Sequence, residues 1–455
     1  MKNTITRISL ASAAALTLLL MSACGSSPSQ SGETGESSSE SGTDGSGAAC
    51  DTVSFWQNQF QPEDNAWFKE AVDKYNASQD QIKVELTVVP GDAWEQKLKA
   101  AQAAGSAPDM YTMNYSAVPM NARNGALAPI TEYISEDSWA DLDTRFLDAV
   151  TVGDSQFAYP LYYEPSALYM YRTDLFEKAG LGPDSVPTTY DELIETGRTL
   201  KDELPGVVPY QMAQNATELA WSTWGAQQGN AGHLPISEDW SEALANDPAY
   251  LPLFDLLQTM YSDGTLAKQA LSAYGDLTPL AEGKLASMTT GSWALNQLLV
   301  DYPDQVKNIA VTPMATVDGD PARTTATLGG WTVGVDSKSE CVAEAAEAIG
   351  YMLGGDPSLA KDYFVKTKYT KLSPRTSVSE DLADDPERSE NPFYDVLAGS
   401  TKTAILEPTY DWQVSMAFGT ALEKAMFGED SVNAQNQAQT EIERLIKDLD
   451  LPATR

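Results

Sequence analysis

The sequence predicts an α/β fold built as two domains, and three observations carry that expectation. The first is alternation: residues 52–114 run strand, helix, strand, helix, strand, the order that builds a parallel βαβ sheet. The second is size, since 455 residues that are 42% hydrophobic exceed what one core accommodates. The third is FAYPLYYEPSALYMYRTDLF, residues 157–176, an aromatic run holding one buried-looking carboxylate, Glu164, and interrupted by Pro160 and Pro165. Each proline removes a backbone donor and presses the preceding residue towards extended geometry, so the run is neither a helix nor an ordinary central strand. It reads as an extended crossing between compact units, where ligand sites tend to form. A core strand is the other reading of such a Tyr-rich run, and residues alone leave both open.

TVSFW, residues 52–56, is the first strand. Pro62 suits a first helical position, and Trp67, Phe68, Ala71, Val72 and Tyr75 follow at helical spacing. The alternation Ile82, Val84, Leu86, Val88 marks a second strand. Trp94, Leu98 and Ala101 lie on one face of a helix that stops at Gly105, and APDMYTMN (107–114) is a third strand. Ligands of parallel βαβ sheets bind beyond the carboxyl ends of the strands. Those ends carry Gln57, Asn58 and Gln59 after the first strand, and Asn114 and Tyr115 after the third. Amides and a phenol donate and accept without the cost of desolvating a full charge, which suits a hydroxylated ligand.

Further on, residues 188–200 form an amphipathic helix and residues 215–224 carry Trp221 and Trp224. Residues 247–300 read as helical, broken at 263–264 and at Gly275. IAVTPM (309–314) and TATLGGWTVGV (325–335) read as strands, the second a further crossing whose Gly329 and Gly330 allow close backbone approach. A helix over 339–353 sets Val342, Ala345, Ala346, Ile349 and Met352 on one side. Helices over 410–427, with Trp412 at its start, and 432–449 end the series.

The formal charge of -36, from 65 acidic against 29 basic residues, argues against a nucleic-acid partner. Residues 1–23 place Lys2 and Arg7 before an apolar run and read as an export signal. They end in MSAC, which resembles the lipobox of bacterial lipoproteins with Met21 where Leu is usual, and so marks Cys24 for lipidation and anchoring at the extracellular face of the cell membrane. Residues 24–49 read as a Ser/Gly tether, because 25–49 hold no basic, aromatic or branched aliphatic residue to bury. Cys50 and Cys341 remain, as a bridge or as two free thiols. His233 is the only histidine, and no spacing suits zinc. No nucleophile elbow or phosphate loop is present, and Gly283-Lys284 is followed by leucine. No metal or cofactor is expected.

Five segments carry a family resemblance when taken in order: the opening strand with Trp56; APD with NGALAPI; AYPLYYEPSALYMYRTDLF; AEGKLASM followed by GSW at Trp293; and GGWTVGVDSKSE. Together they resemble the carbohydrate-binding extracellular solute-binding lipoproteins of ABC transporters, the branch that includes maltose-binding protein, over residues 51–449. The resemblance implies a periplasmic-binding-protein-like fold, two α/β lobes joined by three crossings and closing on a ligand by hinge motion. The crossings fall near 161–170, 328–331 and 372–376, giving a first lobe of 50–160 plus 331–371 and a second of 161–330 plus 372–455. Trp56 to Gln59 match the first cleft loop, and Asn114 and Tyr115 lie in the second. Glu164 matches the acidic hinge-strand residue, expected as a charged acceptor for sugar hydroxyls. Trp221, Trp293 and Trp412 match aromatic positions that stack on sugar rings, with Tyr163, Gly330 and Trp331 completing the candidate set. Met113 and Ser116 depart from the maltose-binding pattern, so maltose itself is not implied. The implied function is capture of an oligosaccharide by a monomeric, non-enzymatic protein for delivery to an ABC permease, with Cys50 and Cys341 in one lobe and bridged. A peptide or amino-acid binder is one alternative, and it would need fixed charges for the termini. The other is a glycoside hydrolase with Asp109 and Glu164 as its carboxyl pair.

Overall fold

The computed structural model describes residues 50–323 and 325–454; the expected signal segment, tether and Cys24 lie outside the described residues. The strands, in chain order, are β1 Thr52–Asn58, β2 Lys83–Val89, β3 Met110–Asn114, β4 Thr151–Val152, β5 Ser155–Gln156, β6 Ala158–Pro165, β7 Leu168–Arg172, β8 Val208–Gln211, β9 Leu285–Thr290, β10 Ile309–Pro313, β11 Thr327–Val335 and β12 Ile405–Leu406. They form a six-stranded sheet in the order β12-β11-β3-β1-β2, with β6 also on β11, and a four-stranded sheet in the order β10-β7-β9-β8; β4 and β5 pair separately.

The first sheet begins as its sequence pattern requires. β1 is parallel to both β2 and β3, and the helix Pro62–Ser78 packs Trp67, Phe68, Ala71, Val72 and Tyr75 against Val53 and Phe55. Trp67 is buried whole, its indole N–H donating to the Leu359 carbonyl at 3.1 Å. The helix Trp94–Ala104 ends at Gly105, whose φ of 68° is the left-handed cap that glycine takes at least cost.

The segment 157–176 is two strands in two sheets. β6 lies along one side of β11, where two prolines are tolerated because they forgo no central ladder bond. Tyr162 pairs with Trp331 and Pro160 with Thr332, so Leu161 is skipped in a bulge. β7 lies inside the second sheet, burying Leu168 and Met170 on one face and Tyr169 on the other. Between them Ala167 holds φ at 57°, uncommon for a residue with a Cβ. The two passes between the sheets are tied together: Ser166 N donates to Thr327 O at 2.9 Å, and Ser292 N to Pro165 O at 3.0 Å.

One expectation is corrected. Residues 285–290, read as part of a helical stretch, are β9, buried at every position and paired with β7 and β8. The helix Leu251–Asp263 does stop at Gly264 as expected. The first sheet and its core also draw on more of the chain than the expected first-lobe bounds. β6 runs to Pro165, β11 starts at Thr327, the helix Thr376–Ala383 packs Val378 and Leu382 in that core, and β12 pairs with β11. The chain therefore leaves this core beyond residues 372–376; Phe393 and Leu397 pack on the second sheet.

Cys50 and Cys341 stand side by side with Cα atoms 5.6 Å apart, a spacing that a disulfide spans. Among the described residues no helix is long and apolar enough to cross a membrane.

The burial of Trp67 predicts that Trp67→Ala lowers stability by about 3–5 kcal/mol, read from denaturant midpoints. A loss under about 1 kcal/mol would contradict its place in the core.

Candidate functional site

The glycines of β11 create the site. Glu164 pairs with Gly329 across β6. On the other side β12 runs parallel as far as Leu406, and the next residue, Glu407, donates its N–H to Leu328 O at 3.2 Å. A Cβ on Gly329 would lie 2.5 Å from Glu407 Oε1, so this carboxyl group lies over the bare glycine and towards Glu164. Glu407 Oε2 accepts from Ser116 N at 3.3 Å. Gly330 has φ 151°, and a Cβ there would meet the Tyr162 carbonyl at 2.2 Å and the Tyr115 ring at 2.9 Å. No other residue fits.

One ammonium, Lys371, faces Glu164. Lys371 Nζ bonds Asp64 Oδ1 at 2.6 Å, with Lys371 2% and Asp64 0% exposed at their side chains. Tyr363 donates to the same oxygen, and the Lys371 charge lies 5.1 Å from the Tyr162 ring centre. Glu164, 7% exposed, has an Oε2 with no partner, and Asp64 Oδ2 has none either. Burial pushes the Glu164 carboxyl up to about 8; Lys371 opposes the rise, while Asp64 and Glu407 add to it. Glu407 is pushed up to about 7 by burial against the pull of its Ser116 bonds. Burial thus favours the neutral form of Glu164 relative to an ordinary carboxylate in the ligand-free protein.

Two amides extend the set. Gln57 donates through Nε2 to Asn65 Oδ1 at 2.7 Å, and Asn296 through Nδ2 to Glu63 Oε2 at 2.7 Å. Each keeps a buried carbonyl oxygen with no partner. The Asn296 bond runs from the helix Ala294–Asp301, packed on the second sheet, to the first turn of Pro62–Ser78 on the first.

The remaining expected residues divide. Trp293 folds over Gly291, where a Cβ would lie 1.7 Å from the ring. Its neighbour Ser292 is bonded to Pro165, which brings the indole to the end of the Glu164 strand. Trp221 lies 5.9 Å from Trp293 and 5.1 Å from Tyr274, making an aromatic group. Trp412 is 42% exposed and edge-on to Trp224 at 6.2 Å. Trp331 is edge-on to Phe60 at 4.8 Å, and Tyr163 stacks on Phe146 at 4.3 Å. Tyr115 is buried with a hydroxyl lacking a partner. Asn114 Nδ2 donates to Gly330 O at 3.4 Å. Trp56 and Gln57, being consecutive in β1, point to opposite faces, and Lys97 covers the Trp56 ring at 4.7 Å. Asn58 N donates to Thr112 Oγ1 at 3.0 Å, and Gln59 is exposed with its N–H on Val89 O. Trp56, Asn58 and Gln59 are not brought to Glu164 by any of these contacts.

Asp109, the second carboxylate of the hydrolase alternative, is occupied elsewhere. It accepts from Ser54 N and Oγ at 2.7 and 2.6 Å and from Ser339 Oγ at 2.7 Å. Among the described residues no group of His, Cys, Asp or Glu is placed to hold a metal ion. Sequence reasoning missed Asp64, Lys371, Asn296 and Glu407. Glu407 had a legible signal, since Glu407-Pro408 repeats Glu164-Pro165 and a residue before proline is held extended.

Residues 61–355 match the model of the bacterial extracellular solute-binding protein family. The chain is 23% identical over 266 residues, 53% of its own length and 58% of the other's, to the sn-glycerol-3-phosphate-binding periplasmic protein UgpB of Rhizobium meliloti. It thus spans about three fifths of the length of the curated relatives it matches. Among solved structures it is similar to the cyclic α-maltosyl-1,6-maltose binding protein of Arthrobacter globiformis, with a TM-score of 0.69 and 25% identity over 88% of this chain and 100% of that one. An ABC transporter solute-binding protein of Thermotoga lettingae bound with α-D-tagatose gives a TM-score of 0.75 at 20% identity, covering 87% and 100%. These likenesses establish the periplasmic-binding-protein-like α/β fold.

A carboxyl group whose folded-state pKa is raised binds a proton that the unfolded chain has released, so stability falls as pH rises from the ordinary carboxylate range through about 8. Glu164→Gln should therefore flatten the fall between roughly pH 5 and pH 8, measured by urea denaturation of the ligand-free protein. An unchanged slope in the variant would contradict the burial of this charge.

Proposed function

The chain belongs to the bacterial extracellular solute-binding protein family, and from that membership we propose that it captures an oligosaccharide between two α/β lobes and delivers it unaltered to an ABC permease. One observation carries this reading. Glu164, Asp64, Gln57 and Asn296 each keep a buried acceptor oxygen without a partner, and the bond from Ser292 to Pro165 ties the Trp293–Trp221 aromatic group to the end of the Glu164 strand. A pyranose answers both demands, with hydroxyl donors at its edge and a C–H face that lies well on an indole. A peptide ligand is served less well: its carboxylate needs a free cation, and Lys371 is already bonded to Asp64. The lobes in this reading are the two sheets with their cores, and the joints are the passes at 166–167 and 314–326 together with the chain beyond Ala383. The protein acts as a monomer.

Anchoring through lipid on Cys24 and a Cys50–Cys341 bridge belong to the same reading. The lipobox-like MSAC supports the first, and the 5.6 Å Cα spacing supports the second. Intact mass of the membrane-extracted, unreduced protein after alkylation checks both. It should show lipid on the peptide that starts at Cys24 and no alkyl group on Cys50 or Cys341; a bare Cys24 or two alkylated thiols would sink the respective claim.

Trp412, exposed enough to take a ring on its free face, gives the binding test. Truncating such an aromatic anchor costs about 2 kcal/mol, so Trp412→Ala should weaken oligosaccharide binding roughly thirtyfold in calorimetry. Absence of binding by every oligosaccharide in a mixed panel, or release of shortened sugars on long incubation, would overturn the assignment.

A further inference from the structure

Besides the Asn296–Glu63 bond, a further contact joins side chains carried by the two sheets. Arg123 ends the helix Val118–Arg123, which follows the site residues Asn114 and Tyr115 and packs Val118 with Tyr115 in a core of the first sheet. Its guanidinium lies 5.7 Å from the ring centre of Trp240, which is buried in the core of the second sheet. A tight turn presents that indole, closed by the Ile236–Ala243 bridge and by Trp240 N donating to Ser237 O at 2.9 Å. Trp240 holds φ at 59° there, a left-handed conformation that a residue with a Cβ keeps only where its surroundings fix it. Asp239 does the fixing: its Oδ1 accepts from Ser237 Oγ at 2.7 Å and from Ser241 N and Oγ at 3.2 and 2.7 Å. The same bonds hold the Asp239 carboxyl down at about 2, so the turn stays anionic, with Glu238 and Glu242 beside it.

We propose that Arg123 and Trp240 form a clasp between the two lobes, one that sets the balance between closed and open forms of the empty protein. The inference rests on the two-lobe reading and adds the element that biases closure. Neither residue belongs to the candidate site. Both also lie outside the joints at 166–167, 314–326 and beyond Ala383, so rotation about those joints separates them. A cation over an indole face is attracted by the ring's quadrupole, most strongly where water is excluded. Burial holds the Arg123 guanidinium below its ordinary value although the residue as a whole is exposed, so its head is partly shielded from water. The carboxylates of the turn add a longer-range pull on an arginine, in a chain where acidic residues outnumber basic ones 65 to 29. Because the Arg123 helix continues from Tyr115, closing the clasp and closing the site are one movement. A ligand that binds the closed form then gains apparent affinity in proportion to the fraction closed, whatever its own chemistry.

The test begins without ligand. Small-angle scattering on the full chain should give a larger radius of gyration for Arg123→Gln than for the unaltered protein, and an intermediate one for Arg123→Lys, which keeps the charge. The shift reports a closed-to-open ratio lowered roughly three- to tenfold. Trp240→Leu, checked for an intact melting transition, should expand equally, and adding Arg123→Gln to it should expand it no further. If Trp240→Leu melts early, the two arginine variants decide the matter alone. In calorimetry with a panel of neutral oligosaccharides, Arg123→Gln should weaken every sugar that binds by one common factor of up to about tenfold, because the clasp acts on closure and not on the ligand. An unchanged radius in Arg123→Gln would overturn the clasp. So would a further expansion when it is added to Trp240→Leu, or a changed order of preference among the sugars. Radii that shift as stated while no sugar of the panel binds would leave the clasp standing and overturn the oligosaccharide reading.

Discussion

Lys371 is bonded to one buried carboxylate, Asp64, while a second, Glu164, feels its charge without a hydrogen bond. Taking an ammonium and a carboxylate out of water costs several kcal/mol per ion, repaid only where the geometry supplies close contact and further hydrogen bonds. The Lys371–Asp64 pair has both: a 2.6 Å contact, a Tyr363 hydroxyl on the same oxygen, and the face of Tyr162 beneath the charge. Glu164 has none of these. It is buried at nearly the same depth, and Lys371 reaches it only through space. Burial answers this by pushing the Glu164 carboxyl up towards its neutral form.

The backbone arrangement that produces this imbalance is equally constrained. β11 is shared by β3, β6 and β12, so its first residues lie where the chain passes between the sheets. Two glycines there let the Tyr162 carbonyl, the Tyr115 ring and the Glu407 carboxyl approach β11 more closely than any side chain would permit. The cross-bonds Ser166–Thr327 and Ser292–Pro165 then fix the second sheet's contribution, Trp293 and its aromatic neighbours, against the end of β6. Site and crossing are the same piece of structure, so motion of one sheet relative to the other must alter the site.

How much of this was legible in the sequence follows the range of the interactions involved. The opening βαβ pattern was readable because period-2 and period-3.6 hydrophobicity are local signals, and Trp67 on its helix face went where its spacing put it. β9 was not readable: LASMTT is buried on both faces, shows no alternation, and a short run of that kind cannot be told from buried helix by periodicity. Glu164 stood out as a lone carboxylate among aromatics. Asp64 was not legible, because its partner Lys371 lies 307 residues away. Trp56 and Gln57 were grouped as one loop, whereas β1 continues through both and strand alternation sends them to opposite faces.

The central claim is that the unpartnered buried acceptors around Glu164 are one face of a solute site whose other face is Trp293. The most direct measurement is a crystal structure of the full folded chain soaked with a pooled set of oligosaccharides. The account predicts ring density lying against Trp293, with ligand donors within about 3.2 Å of Glu164 Oε2 and Asp64 Oδ2. A sugar bound elsewhere, with both carboxylate oxygens still lacking a ligand partner, would contradict it.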